Sequence, residues 1–400
     1  MSLTFDPLQS LLAAIVCLLA GAAVNRRVAF LNRYNIPDPV TGGLLFAVFV
    51  SVGAEWGGAQ VSLNATMKPV LLLMFFAGVG LGADLRLLKA GGKALGVFML
   101  VLFPFLVLQN LVGVAAACAL DLHPIFGLVA GSITLVGGHG TGAAYAERFA
   151  EVNNLQSVME LSMTSATIGL VLGGIVAGPV AQYLLNRHRL RGGAASGHAT
   201  AETRSEAQRG AVTALGFIGA LAGILAAVLA GQWLAERFQD LPVTIPGFVW
   251  CLLVGVAIRN LAPLAGLHFD DRATELIAGV SLALFLAMTM MALNLVEVVL
   301  TAGPLVVIVL LQVVFIVIYA IWICFRVMGR DYEAVTTTAG FIGFNLGSTA
   351  TAIANMQAIA ARYGPAPKSF LIVPLAGAFF VDLMNAAVLT VFLSLGFMGG

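Results

Sequence analysis

Charge is scarce in this chain: Asp, Glu, Lys and Arg make up 10% of its 400 residues, against about a quarter in an ordinary soluble domain. The net charge of +1 leaves no basic surface of the kind that nucleic acid requires, so no nucleic acid partner is expected. Cysteine is scarce as well. Cys17, Cys118, Cys251 and Cys324 stand singly in apolar runs with no CxxC or histidine spacing, which excludes a disulfide framework and a zinc site. Residues 1 to 7 hold no basic side chain and Arg26 and Arg27 follow the first apolar run, the reverse of a secretory leader. That order instead points to a first span with its N-terminus outside. No Ser-His-Asp or HExxH grouping is present, so an enzyme is not expected, nor a cofactor. The glycine-rich stretch Gly137 to Gly142 lacks the Gly-Lys-Ser/Thr ending of a phosphate loop and the spacing of a dinucleotide fingerprint.

Apolar residues are abundant, at 60% of the chain with a mean hydropathy of +1.00. Runs of about 20 of them recur throughout, the length a bilayer demands of a helix. The expected fold is therefore an all-α integral membrane protein in a lipid bilayer. Spans are expected near residues 7 to 24, 37 to 54, 67 to 84, 93 to 118 and 158 to 184. A second set follows near 211 to 233, 243 to 262, 275 to 297, 303 to 327 and 369 to 396. Before the fifth span of each set comes a segment too polar and glycine-rich for a plain span, 124 to 152 and 335 to 364, which reads as a re-entrant hairpin.

The two sets read as a duplication. Ala130 to Ala144 (AGSITLVGGHGTGAA) and Ala339 to Ile353 (AGFIGFNLGSTATAI) lie 209 positions apart, as do Ile36-Pro37, Val40 and Leu44 from Ile245-Pro246, Val249 and Leu253. Phe75, Ala77 and Leu85 fall on Phe285, Ala287 and Leu295 at an offset of 210, with Asp84 opposite Asn294. The expected organisation is two inverted five-helix repeats, 1–185 and 211–400, joined by a polar cytoplasmic linker, 186–210, giving ten transmembrane helices. Odd repeats insert in opposite senses, and the basic residues agree. With both termini outside, seventeen of the 20 Lys and Arg gather on the cytoplasmic side and only Lys68, Arg148 and Arg237 stay outside.

Helix breaks at matching places in two halves of a membrane chain point to a transporter's binding site. In the first hairpin Ser132, Thr134, His139 and Thr141 accompany Gly137, Gly138, Gly140 and Gly142. In the second, Asn345, Ser348, Thr349, Thr351 and Asn355 accompany Gly347. Backbone amides at such breaks suit a carboxylate, and carbonyl, hydroxyl and amide oxygens suit a hard cation such as sodium. Small residues also serve simply to bring helices close. His139 is either a proton or substrate group or a neutral hydrogen-bonding tip residue. Asp382, with Asn385 on the same helical face, is a candidate for sodium or a substrate ammonium, or else a structural tie. Glu160, with Thr164, Ser165 and Thr167, opens the fifth helix as a site residue or a solvated cap.

The stretches LVGGHGTGAAYAERF (Leu135 to Phe149) and GFNLGSTATAIANMQAI (Gly343 to Ile359) resemble those of the bacterial glutamate:sodium symporter family. So do NIPDPVTGGLL (Asn35 to Leu45), SATIGLVLGG (Ser165 to Gly174), SLALFLAM (Ser281 to Met288) and GAFFVDLMNA (Gly377 to Ala386). The resemblance implies inward L-glutamate transport coupled to sodium across the bacterial inner membrane, opposed hairpins, a homodimer and an elevator motion. It assigns the hairpin role to Gly137 through Gly142 and to Gly347, Ser348, Thr349 and Thr351. Asp382, Asn385, Asn345 and Asn355 are the sodium candidates. The family usually carries proline where this chain has Ala350. Rival readings are a sodium- or proton-coupled carrier of a dicarboxylate or related small organic anion, and a channel.

Overall fold

The computed structural model describes residues 2–34, 36–57, 60–152, 155, 157–190, 212–238, 245–293 and 295–395. Almost all of them are helical, because a backbone placed in hydrocarbon must satisfy its N–H and C=O groups within its own segment. In chain order the helices are α1 (Pro7–Arg27), α2 (Asp38–Gly57), α3 (Lys68–Gly82) and α4 (Leu87–Ala119). α5 (Pro124–Leu128) runs into a π-helical turn, Val129–Ile133, and is followed by α6 (Gly138–Val152) and α7 (Val158–His188). Then come α8 (Ala214–Arg237), α9 (Gly247–Leu261), α10 (Asp271–Met291) and α11 (Leu295–Tyr319), the last prolonged by a π-helical stretch, Ala320–Cys324. α12 (Tyr332–Leu346), α13 (Thr349–Tyr363), α14 (Pro367–Phe379) and α15 (Val381–Leu393) complete the chain. Ser2–Thr4 and Gln60–Ser62 form a short parallel pair.

Local chemistry sets many of the starts. Asp6 and Gln9 form a reciprocal capping box ahead of Pro7, with Gln9 N–H donating to Asp6 Oδ1 at 2.8 Å. Thr213, Asp270, Asp331 and Ser348 cap α8, α10, α12 and α13 in the same way, each accepting a first-turn N–H. Asp270 and Asp271 are thus a helix start, and Asp271 also pairs with Arg259 at 2.5 Å.

Every apolar segment read from the sequence falls on helix, but their lengths differ from expectation. Among the described residues, seven helices are long and apolar enough to cross a membrane, or eight if the bent pair α14–α15 is one span. The described parts of α2 and α3 are shorter apolar helices. Where a single helix was expected over 369–396, the axis turns by 48° near Phe380. Beyond the turn, Asn385 Nδ2 donates to the Ser132 carbonyl at 3.0 Å, tying α15 to the first hairpin. α7 continues through His188, past the expected start of the linker at 186. The linker from 191 onward, and Asn294, lie outside the described residues.

The helices pack as two bundles. One joins α1, α2 and α3 to α8, α9 and α10, and the other joins α4 to α7 with α11 to α15. In the first bundle the crossings run backbone to backbone. A Cβ on Gly80 would lie 2.1 Å from the Leu252 carbonyl oxygen, and one on Gly43 would lie 2.3 Å from Met290 Cβ. Gly43 and Leu252 are 209 positions apart and Gly80 and Met290 are 210 apart, the same offsets that separate the matching sequence stretches.

Candidate functional site

The first hairpin breaks at Val136 and Gly137, where both N–H groups turn back onto the Ser132 carbonyl at 3.3 and 3.1 Å. The chain then enters α6 through Gly138 at φ +64, a conformation that a side chain disfavours. The second hairpin breaks at Gly347, and Ser348 caps the next helix by accepting the Thr351 N–H at 3.2 Å. These breaks meet: a Cβ on Gly138 would sit 3.7 Å from the Gly347 carbonyl oxygen. The N-termini of α6 and α13 therefore converge on one place. Each presents first-turn N–H groups that have no acceptor within the helix, together with the positive end of its dipole. Among the sequence candidates, Gly137, Gly138, His139 and Gly140 surround one tip and Gly347, Ser348 and Thr349 the other.

Several hydroxyls hold the tips in place. Ser132 exchanges two bonds with Asn110 of α4, its N–H donating to Oδ1 at 3.0 Å and its Oγ accepting from Nδ2 at 2.8 Å. Thr134 donates to the Val129 carbonyl at 2.6 Å and lies 2.7 Å from Ser165 Oγ, so the hydroxyl proton between them belongs to Ser165. Thr351 Oγ1 lies 3.2 Å from Ser348 Oγ, and Thr164 donates to Glu160 O at 2.8 Å in the first turns of α7. Thr141 is buried one turn into α6, and Gly142 packs against Thr134. His139 is buried with Nε2 3.0 Å from Thr167 Oγ1. The Thr167 hydroxyl already donates to Met163 O at 2.9 Å, which makes His139 Nε2 the donor and leaves Nδ1 as acceptor.

Four buried amides are arranged differently. Gln312 Nε2 donates to the Gln109 carbonyl at 2.8 Å, Gln109 Nε2 to the Asn345 carbonyl at 3.2 Å, and Asn345 Nδ2 to Phe341 O at 2.9 Å. Asn385 Nδ2 donates to Ser132 O. Each amide nitrogen must face its carbonyl, so the paired oxygen points elsewhere, and all four side-chain oxygens are buried without a hydrogen-bond partner among the described residues. A buried carbonyl oxygen left in this way costs about 1–3 kcal/mol unless water or a cation meets it. Asn345 and Asn385, both cation candidates, are thereby linked through neighbouring residues of α4, Gln109 and Asn110. Asn355 is elsewhere, donating to Gly173 O of α7 at 3.1 Å. Asp382 is half-buried in the first turn of α15, one turn before Asn385, where a helix N-terminus favours a carboxylate. Among the described residues no three His, Cys, Asp or Glu side chains come together, so the available cation ligands are chiefly neutral oxygens.

Sequence reading missed Gln109, Asn110 and Gln312. The signal was present, as amides inside the apolar runs 93 to 118 and 303 to 327, since polar side chains at that depth tie helices together or line a path. Thr167, read with Glu160 at the start of the fifth span, is the hydroxyl that meets His139.

Comparison with known proteins places the sequence in a family. The family described as Sodium/glutamate symporter matches residues 3–365. A sodium/glutamate symporter of Haemophilus influenzae is 41% identical over 397 residues, covering 98% of each chain. One from Escherichia coli is 41% identical over 398 residues, 99% of each. Among solved structures, a sodium proton antiporter from Methanocaldococcus jannaschii aligns at 16% identity over 98% of this chain and 100% of its own, with a TM-score of 0.21 that supports no structural argument. Matching nearly end to end, hairpin stretches included, the chain belongs to the sodium/glutamate symporter family.

Proposed function

We propose that this protein is a secondary carrier that takes up L-glutamate with sodium across the bacterial inner membrane. The observation that carries the reading is the tip-to-tip meeting of Gly138 and Gly347. Two helix N-termini at one point suit a molecule with two carboxylates, one for each set of free N–H groups. The substrate's ammonium and the sodium ion then need oxygens. Asp382 and the unpartnered oxygens of Asn385, Asn345, Gln109 and Gln312 supply them. Family membership favours glutamate over a plain dicarboxylate, and Asp382 close to the site gives an ammonium group a partner that malate would not use. Each net positive charge carried inward through 100 mV adds about 2.3 kcal/mol of driving force, so sodium in excess of the substrate's charge makes uptake concentrative.

In this proposal the halves 1–185 and 211–400 are inverted repeats with opposed re-entrant hairpins, ten spans in all, and the termini lie outside. The paired contacts Gly43–Met290 and Gly80–Leu252 support it. So does the contact of Gly138 with Gly347, two residues 209 positions apart that an exchange of the halves would interchange. The bundle of α1, α2, α3, α8, α9 and α10 is the static scaffold through which two copies form a homodimer. The hairpin-bearing bundle is the part that moves. Radiolabelled glutamate uptake into proteoliposomes under an imposed sodium gradient tests the function. Sodium-dependent accumulation is expected, blocked by excess glutamate and not by malate or citrate. Equal uptake with potassium in place of sodium would refute the coupling, and block by malate alone would refute the substrate.

A further inference from the structure

Away from the hairpins, a cleft of about 530 Å³ opens on the outer flank where the last turns of α7 meet the end of α11. One wall carries Pro179, Tyr183 and Arg187, and the other carries Ile321, Trp322 and Arg326. Three features there are unusual. The second wall contains the π-helical stretch Ala320–Cys324, a local widening that occurs in proteins mostly where a helix has a task beyond packing. The Arg326 guanidinium lies 4.3 Å from the Trp322 ring centroid, and that ring is 58% exposed. Arg187 and Arg326 enter no ion pair among the described residues, and His188 adds a third nitrogen base at the same rim, its ring 4.9 Å from Phe325. Helix dipoles account for a basic residue at each C-terminus. They do not account for two arginines bordering one cleft whose deeper walls are apolar and aromatic.

A charged rim over an apolar trough at the end of two membrane helices has the profile of a phospholipid. We propose that this cleft binds an anionic phospholipid, its phosphate held between Arg187 and Arg326 and an acyl chain lying along Val317, Ile321 and Pro179. The aromatic rings of Trp322 and Tyr183 occupy the headgroup boundary, where such rings are favoured. The proposal is independent of which solute the protein carries.

Quenching by lipids with brominated acyl chains reads the site directly. The full chain is placed in phosphatidylcholine nanodiscs containing a minor fraction of brominated phosphatidylglycerol or brominated phosphatidylcholine. The Trp322 signal is the difference from Trp322→Phe, since the chain has 4 tryptophans. Phosphatidylglycerol is expected to quench Trp322 at a lower mole fraction than phosphatidylcholine, by roughly fivefold for each arginine engaged. The preference should vanish in Arg187→Gln/Arg326→Gln and persist in Arg187→Lys/Arg326→Lys, which keeps the charge. Equal quenching by the two lipids in the unaltered protein overturns the proposal, with no variant needed. So does a preference that survives in the glutamine pair, and so does complete displacement by millimolar inorganic phosphate, which would make the site one for free anions.

Discussion

Gly138 is the residue on which the site turns most directly. Its φ of +64 aims the first turn of α6 at the second hairpin, and an L side chain in that conformation costs roughly 1–2 kcal/mol. The space beside it is not the obstacle, since a Cβ would meet only the Gly347 carbonyl oxygen at 3.7 Å, an ordinary contact. Gly138→Ala should therefore insert and fold, with the strain relieved by rotation of the tip. Glutamate uptake per purified carrier should fall about tenfold. Uptake at the unaltered rate would mean that the direction of these N–H groups is not used. Glycine-rich composition made this tip legible in the sequence. The duties of individual hydroxyls were not legible, because Ser132 bonds to Asn110 of α4 and Thr134 meets Ser165 of α7, partners on other helices that no local pattern reveals.

At the scale of elements, the end of α3 shows how short apolar helices are held. Asp84 accepts from the Arg86 backbone N–H at 2.9 Å and from its guanidinium at 2.8 Å, and lies 3.5 Å from Arg259 of α9. Asn260 brackets the same turn, donating to Ala83 O and accepting the Leu85 N–H. The Arg86 hydrogen bond, aided by the charge of Arg259, holds the Asp84 carboxyl below its usual range near 3.8. A carboxyl with a lowered folded-state pKa contributes stability at pH values above its unfolded pKa. That contribution disappears as pH falls through the folded value. The melting temperature of the purified protein should thus drop as pH is lowered from about 6 to about 3. Asp84→Asn should melt lower than the unaltered protein near neutral pH and lose less of its stability on acidification. Parallel pH profiles for the two proteins would rule this account out. The caps at Asp6, Thr213, Asp270 and Asp331 are local devices, each set by one side chain and the first turn beside it. The tie beyond the turn at Phe380 is not local, since it joins Asn385 to Ser132, 253 positions away.

For the whole molecule, the contacts between the two bundles decide whether one moves against the other. Lys68, opening α3 in one bundle, pairs with Glu147 of α6 in the other at 2.6 Å, a bond that sliding of one bundle against the other would break. If transport proceeds by that sliding, joining these two positions arrests it. In a variant with Cys17, Cys118, Cys251 and Cys324 replaced, Lys68→Cys/Glu147→Cys bridged by a short reducible cross-linker should lose uptake to background and recover it on reduction. Full transport by the cross-linked carrier would show that the bundles stay fixed.

The sequence by itself determined where the chain is apolar and helical and where glycine-rich stretches interrupt it. Both follow from local constraints: hydrocarbon requires internally satisfied backbone, and glycine weakens a helix. Only the tertiary structure decided that the two breaks touch at Gly138 and Gly347, and which hydroxyls are engaged by neighbours. It also decided that the oxygens of Gln109, Gln312, Asn345 and Asn385 are left without partners among the described residues. Those outcomes depend on contacts between residues hundreds of positions apart, whose partners are chosen by packing and not by neighbours along the chain.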